Sequence, residues 1–230
     1  MEKIRFKSTF KFQTHFLVLL GLQLAGCAAP AASSEQALFA RPLIVGASVS
    51  GDTGTASPGK RIALKYTRKK DIHVLARGGA PGRDVIREVS DERLANRTII
   101  IALDFLFWDA SIPGSPEPSI SALQNLIDRA QQRKIPLILG DVPNLLPGAL
   151  SARDALNAAI RERCRPSRQC YIVELDNLHQ QIVRDGFLEI KGRKYRMSEI
   201  LPDGLHLSSK ASEEIADRLL KKLKEHTTTV

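Results

Sequence analysis

Asp203 and His206 stand three residues apart in the run Leu201-Pro202-Asp203-Gly204-Leu205-His206-Leu207-Ser208, just ahead of a helical pattern. A carboxylate at that spacing on a turn can accept the imidazole Nδ1–H, fix the tautomer and stabilise the imidazolium. It leaves Nε2 free as a general base. Alone, such a pair is more often the first turn of a helix with a solvated histidine. It gains meaning from Ser48, which follows Leu43-Ile44-Val45-Gly46-Ala47 on a strand-to-helix turn and supplies a nucleophile for the base to activate. His73 lies inside an apolar run and reads as a satisfied half-buried side chain; His179 marks a helix start and His226 the C-terminal tail. No His, Asp and Cys set has metal-ligand spacing, so no metal is expected. The glycines from Gly78 to Gly82 do not spell Gly-x-Gly-x-x-Gly, so no dinucleotide cofactor is expected either.

Such groups have to be held at the ends of elements. Five short β-rich runs recur along the chain, at 43–45, 72–75, 98–103, 136–139 and 171–175. They are nearly continuously apolar, as strands of a parallel sheet buried on both faces are. Between them fall helical stripes, Leu123, Leu126, Ile127 and Ala130 in one and Ala155, Ala158, Ala159 and Ile160 in another. A last helix, capped by Ser208 or Ser209, carries Ile215, Leu219 and Leu223. The pattern predicts a three-layer α/β/α sandwich around a five-stranded parallel sheet of flavodoxin-like type. Residues 186–197 alternate around Lys191-Gly192 and predict a small added hairpin. In such folds, active groups lie in loops beyond the carboxyl ends of the strands.

The block Leu43 to Ser48, the block Asp203 to Ser208 and the order of elements across 42–225 resemble the SGNH/GDSL hydrolase family. That family places its serine in a Gly-Asp-Ser block after the first strand and its acid and base in a late Asp-x-x-His block. The resemblance implies an SGNH-type fold, with Ser48 as nucleophile, His206 as general base and then acid, and Asp203 as its orienting partner. It also implies an oxyanion hole built from the N–H of Ser48, a glycine N–H after the second strand and an Asn side chain after the third. Within Gly79-Ala80-Pro81-Gly82 it points to Gly82, with Gly79 as the alternative. Two positions depart from the family. Ala47 stands where the Asp would be, and Leu103-Asp104-Phe105-Leu106-Phe107-Trp108-Asp109 has no Gly-x-Asn-Asp. Losing one oxyanion donor can cost on the order of 100–1000-fold in rate. The Trp108 indole N–H or Asn144 could substitute. Phe105 to Trp108 read as packing at the end of the sheet or as an apolar wall for an acyl group or sugar ring. Asp104 and Asp109 read as structural acceptors or as groups that orient a substrate.

The first residues set the location. Lys3, Arg5, Lys7 and Lys11 precede the apolar stretch 16–24, which is too short to span a bilayer. Leu24-Ala25-Gly26-Cys27 then matches the bacterial lipobox. The expected organisation is a signal peptide over 1–26, an acylated tether over 27–41 and one hydrolase-like domain over 42–230. Two or three acyl chains on Cys27 would anchor it stably to a membrane. Ala28, in place of an Asp, resembles the sorting signal for the outer membrane of two-membrane bacteria, on its periplasmic side. Removing Lys3, Arg5, Lys7, Lys11 and Glu2 lowers the net charge from +9 to +6, with 30 basic and 24 acidic residues left. With 5% aromatic residues there are few stacking platforms, and no nucleic acid partner is expected. Cys164 and Cys170, six apart in an exported chain, are expected to pair. The expected protein is thus a monomeric esterase or deacylase of the envelope, acting on an ester, an acylated glycan or a lipid. The alternative is an envelope lipoprotein that keeps the fold as a binding or scaffold protein with weakened catalysis.

Overall fold

All five apolar runs form strands of one sheet in the computed structural model, which describes residues 34–146 and 150–227. Cys27, the expected signal peptide over 1–26 and the first part of the expected tether over 27–41 lie outside the described residues. In chain order the elements are α1 (Ser34–Leu38), β1 (Pro42–Gly46), α2 (Pro58–Ala63), β2 (His73–Ala76), α3 (Gly82–Val85), α4 (Asp91–Leu94), β3 (Ile99–Ala102) and α5 (Glu117–Gln132). There follow β4 (Leu137–Gly140), α6 (Leu150–Cys164), β5 (Cys170–Val173), α7 (Leu175–Asp185), β6 (Leu188–Ile190), β7 (Arg193–Tyr195), α8 (Met197–Ile200) and α9 (Ser209–Thr227). The sheet runs β2-β1-β3-β4-β5, and every pairing in it is parallel.

Side-chain alternation divides the core in two. On β3, Ile100 and Ala102 point to one side, where α3, α5 and α6 pack through Val85, Leu126 and Leu156. Ile99 and Ile101 point to the other, where α2, α7 and α9 pack through Ile62, Leu178 and Ile215. The wholly apolar β3 follows from this: it has a core on each face. The hairpin β6–β7 belongs to the second side, with Leu188 and Ile190 buried there. Lys191 and Gly192 at its tip have φ of 51° and 78°, the pair of positive values a two-residue type I′ turn requires.

Two details differ from the sequence reading. The packed chain begins before residue 42: Phe39 is fully buried and stacks on Tyr66 with ring centroids 5.3 Å apart. An Ala- and Ser-rich lead had hidden that anchor. Glu174 and Leu175 leave strand five, because Leu175 opens α7, whose Leu178 and Ile182 need a helical spacing to reach the second core. The Sγ atoms of Cys164 and Cys170, the pair expected from the sequence, are joined, with Cα atoms 5.3 Å apart, linking the end of α6 to the start of β5.

Candidate active site

β1 is flanked by β2 on one side and β3 on the other, so its carboxyl end is where the chain direction of winding switches, and Ser48 lies there. The turn that carries Ser48 is bound by one side chain. Asp104, just past β3, accepts the backbone N–H of Ala47 (3.1 Å), Val49 (2.8 Å) and Ser50 (3.2 Å). It also accepts the Ser50 hydroxyl at 2.5 Å. Burial pushes the Asp104 carboxyl up, against the pull of these four donors. Gly46 is required here, since a Cβ at that position would run into the Asp104 carboxylate. Among the described residues the N–H of Ser48 itself is given no acceptor, while those of its neighbours on both sides are taken. Ser48 is 6% exposed.

Asp203 and His206 form the pair that their spacing suggests. Asp203 Oδ2 lies 2.6 Å from His206 Nδ1, and Oδ1 accepts the backbone N–H of His206 (2.6 Å) and of Leu205 (3.0 Å). The backbone N–H of His206 and then its ring hold the Asp203 carboxyl well below the usual carboxylate range. An ionised Asp203 takes the Nδ1–H and leaves the Nε2 lone pair free. The loop after Ser48 packs on this block: a Cβ on Gly54 would lie 3.6 Å from His206 Cβ. That loop is braced by Asp52, which accepts the Ser57 N–H at 2.8 Å and pairs with Lys60. Burial alone would raise the Asp52 carboxyl, but Lys60 and Ser57 hold it below its usual value. Arg61 on α2 spans the two blocks. Its guanidinium donates to Ala56 O (3.1 Å) and Thr55 Oγ1 (2.7 Å) on the serine side, and to Ser212 Oγ (3.0 Å) and Ser209 Oγ (2.8 Å) on α9.

The glycine block sits differently from the reading above. The N–H of Gly82 donates to Asp109 Oδ2 at 2.5 Å, and Arg83 N–H lies 3.4 Å from Oδ1. Gly82 opens the short α3, whose first amides lack intrahelical partners, and Asp109 satisfies them. Its lack of a side chain serves packing, because a Cβ there would lie 2.6 Å from Phe105 O. Gly78 is the glycine beside Ser48: a Cβ on it would touch Ser48 Cβ at 4.0 Å. Gly79, with φ of 72°, faces open space. Trp108 Nε1 is buried with no acceptor among the described residues, and Trp108 is not in the wall of the cavity at Ser48. Asn144 is exposed, and its backbone N–H is held by Asp176 Oδ1 at 3.2 Å. Asp104 and Asp109 are therefore structural acceptors, one for the loop that carries Ser48 and one for the glycine loop beside it.

Ser48 opens onto a narrow cavity of about 80 Å³ beyond the carboxyl ends of β3, β4 and β5. Leu205 and Leu207, the neighbours of His206, line it as well, so both blocks face one space. Phe107 is in its wall, while Phe105 and Leu106 are buried in the first core. Among the described residues no His, Cys, Asp and Glu cluster could hold a metal ion, and no helix is long and apolar enough to cross a membrane.

No family model matches the sequence, and no match was found among curated proteins. Solved structures do match by shape. A psychrotrophic esterase, EstA, from Pseudoalteromonas sp. is 15% identical, with a TM-score of 0.57 over 81% of this chain and 98% of that one. A GDSL-like lipase from Bacteroides thetaiotaomicron is 14% identical, with a TM-score of 0.56 over 84% and 90%. A family 3 carbohydrate esterase from Clostridium thermocellum is 15% identical, with a TM-score of 0.55 over 82% and 97%. At such identities the likeness is one of fold, and by its strand order, its helical layers and these neighbours this chain has the SGNH/GDSL hydrolase fold.

Proposed function

We propose that this chain is a serine hydrolase that cleaves an ester with Ser48, His206 and Asp203, held in the cell envelope through an acylated Cys27. One observation carries the reading. The Asp203–His206 pair is closed at 2.6 Å, and Leu205 and Leu207, on either side of His206, line the same cavity as a serine whose own N–H is uncommitted. Ser48 Oγ attacks the ester carbonyl carbon as its proton passes to His206 Nε2. The carbonyl oxygen becomes an oxyanion that the Ser48 N–H and an amide of Gly78 or Gly79 can meet. Collapse expels the alcohol, which takes the proton from His206 and leaves an acyl-serine. Water then repeats the sequence: His206 takes its proton, the hydroxide attacks the acyl carbon, and the proton returns to Ser48 Oγ as the acid departs. Asp203 stays ionised throughout and offsets the imidazolium charge.

Labelling of the purified chain by a fluorophosphonate tests this, with Ser48→Ala as control. Label on wild type but not on the variant is the expected outcome; equal labelling of both refutes the assignment. The scaffold reading has one observation in its favour. The loop after β3 offers acceptors where the resemblance leads one to expect an Asn donor. Folded wild-type protein that takes no label, cleaves no ester and binds a glycan would establish it.

A further inference from the structure

The cavity at Ser48 has no counterpart in the chemistry of bond cleavage alone, because it runs on beyond the nucleophile into the second core. Leu103 and Val49 line it beside Ser48. Leu178 and Ile182 of α7 and Ile215 of α9 line it within the second layer. α7 follows β5, three strands away from β1, and strands lie about 4.8 Å apart, so the wall spans roughly 14 Å of the sheet. Leu188 of the hairpin and Met197 and Ile200 of α8 line it as well. These come from the segment added to the five-stranded fold.

From this geometry we infer that the cavity is an acyl-chain site, and that the substrates are esters of linear, medium-length fatty acids whose carbonyl sits at Ser48. The inference rests on the hydrolase reading and narrows its substrate. The wall decides between acyl and sugar. A sugar ring brings several hydroxyls that need partners once desolvated. Apart from Ser48, the side chains in the wall able to hydrogen-bond are Asp104 and His179. Asp104 is already engaged by four donors. His179 has a buried Nδ1 without a partner among the described residues, and burial lowers its pKa, so a single ring is left to answer the hydroxyls of a sugar. A hydrocarbon chain asks for no partners and gains from every methylene removed from water. Protein interiors are close-packed, and an apolar space that opens on a nucleophile is one a ligand fills.

The test is a chain-length series of para-nitrophenyl esters from acetate through butyrate and octanoate to dodecanoate, read as kcat/KM. A buried methylene is worth at most about fourfold, so octanoate should exceed acetate by roughly tenfold or more. Ile182→Phe and Met197→Trp, which fill the cavity from two different elements, should each lower the octanoate-to-acetate ratio at least tenfold, with circular dichroism to show both fold. A flat series, or ratios that neither variant changes, overturns the inference and leaves the hydrolase reading intact. If wild type takes no fluorophosphonate and cleaves no ester, the hydrolase reading fails on its own. Calorimetric titration with octanoate then decides the cavity: saturable binding that Ile182→Phe abolishes supports it, and no binding overturns it.

Discussion

Asp104→Ala should disable this protein without touching any group of the proposed triad. The carboxylate is the acceptor for three backbone amides, at Ala47, Val49 and Ser50, and for the Ser50 hydroxyl. Each buried donor left without an acceptor costs about 1–3 kcal/mol. Three amides would cost about 3–9 kcal/mol if nothing moved. The turn is at the edge of the cavity, so water and a small shift will recover part of this. A loss of about 3–5 kcal/mol is expected, close to what removing one partner of a buried charged network costs. In a domain of this size that lowers Tm by roughly 6–20 °C. The shift that relieves the orphaned amides also moves Ser48, and a displacement of about 1 Å at a reacting atom can cost about 100-fold in kcat. Asp104→Asn keeps the shape and one acceptor oxygen but sets an NH2 group against a backbone N–H, so it should fall between wild type and alanine in both properties. Urea unfolding with linear extrapolation gives the stability, and para-nitrophenyl ester turnover gives the rate. An Asp104→Ala protein within about 1 kcal/mol of wild type and with unchanged kcat would refute the view that this side chain holds the nucleophile turn.

Ser48→Ala and His206→Ala should each abolish most ester hydrolysis, and the double variant should be no worse than Ser48→Ala, because a nucleophile without its base is already nearly inert; Asp203→Ala should retain more, and wild-type turnover in Ser48→Ala would sink the triad. Asp203 is held ionised well below the usual carboxylate range by the His206 N–H and ring, so its contribution is present above the unfolded value of about 3.9 and is lost only as pH falls through the depressed one. The acid limb of log kcat/KM against pH should therefore have a slope of one; a slope of two would mean that Asp203 titrates in the working range. Arg61→Ala removes the strut between the serine loop and α9 and should cost about 1–3 kcal/mol in urea unfolding, whereas an unchanged midpoint would show that the two blocks do not depend on it. Cys27→Ser should prevent acylation and leave uncleaved or soluble protein, and a cut, acylated form of that variant in the membrane fraction would disprove the anchor.

The strands were legible because each is apolar on both faces, and the hairpin because Lys191-Gly192 is a turn that few other contexts require. The triad candidates were legible for a related reason: Ser48 and the Asp203–His206 pair sit where a strand ends or a helix begins, and local patterning marks such places. What could not be read is which polar group answers which across the fold. Gly82 looked available because glycine spacing says nothing of where an amide points; its partner, Asp109, lies 27 residues on. Asp104 gave no local sign of a role that spans 54 to 57 residues. Leu178, Ile182 and Leu188 are ordinary core residues in a hydrophobic pattern, and only their common placement around Ser48 makes them a cavity wall.

The loop after β3 shows what the missing Asn means physically. The resemblance leads one to expect a donor aimed at the oxyanion; this chain instead has Asp104 and Asp109, acceptors that tie down the loops carrying Ser48 and the glycines. On the proposed mechanism, rigidity around Ser48 is secured and a third hydrogen bond to the transition state is given up. The charge matters too. A carboxylate next to a developing oxyanion opposes it, and the opposition is strong in a water-poor site. Two features moderate this: four donors drain the charge of Asp104 toward the turn, and burial favours its protonated form. With the two proposed backbone donors and no Asn side chain, ester turnover should be on the order of 100–1000-fold below that of a hydrolase of this fold with a complete oxyanion hole. An acyl-chain cavity suits that arrangement, because binding energy from the chain can position the carbonyl where hydrogen bonding alone would hold it less well.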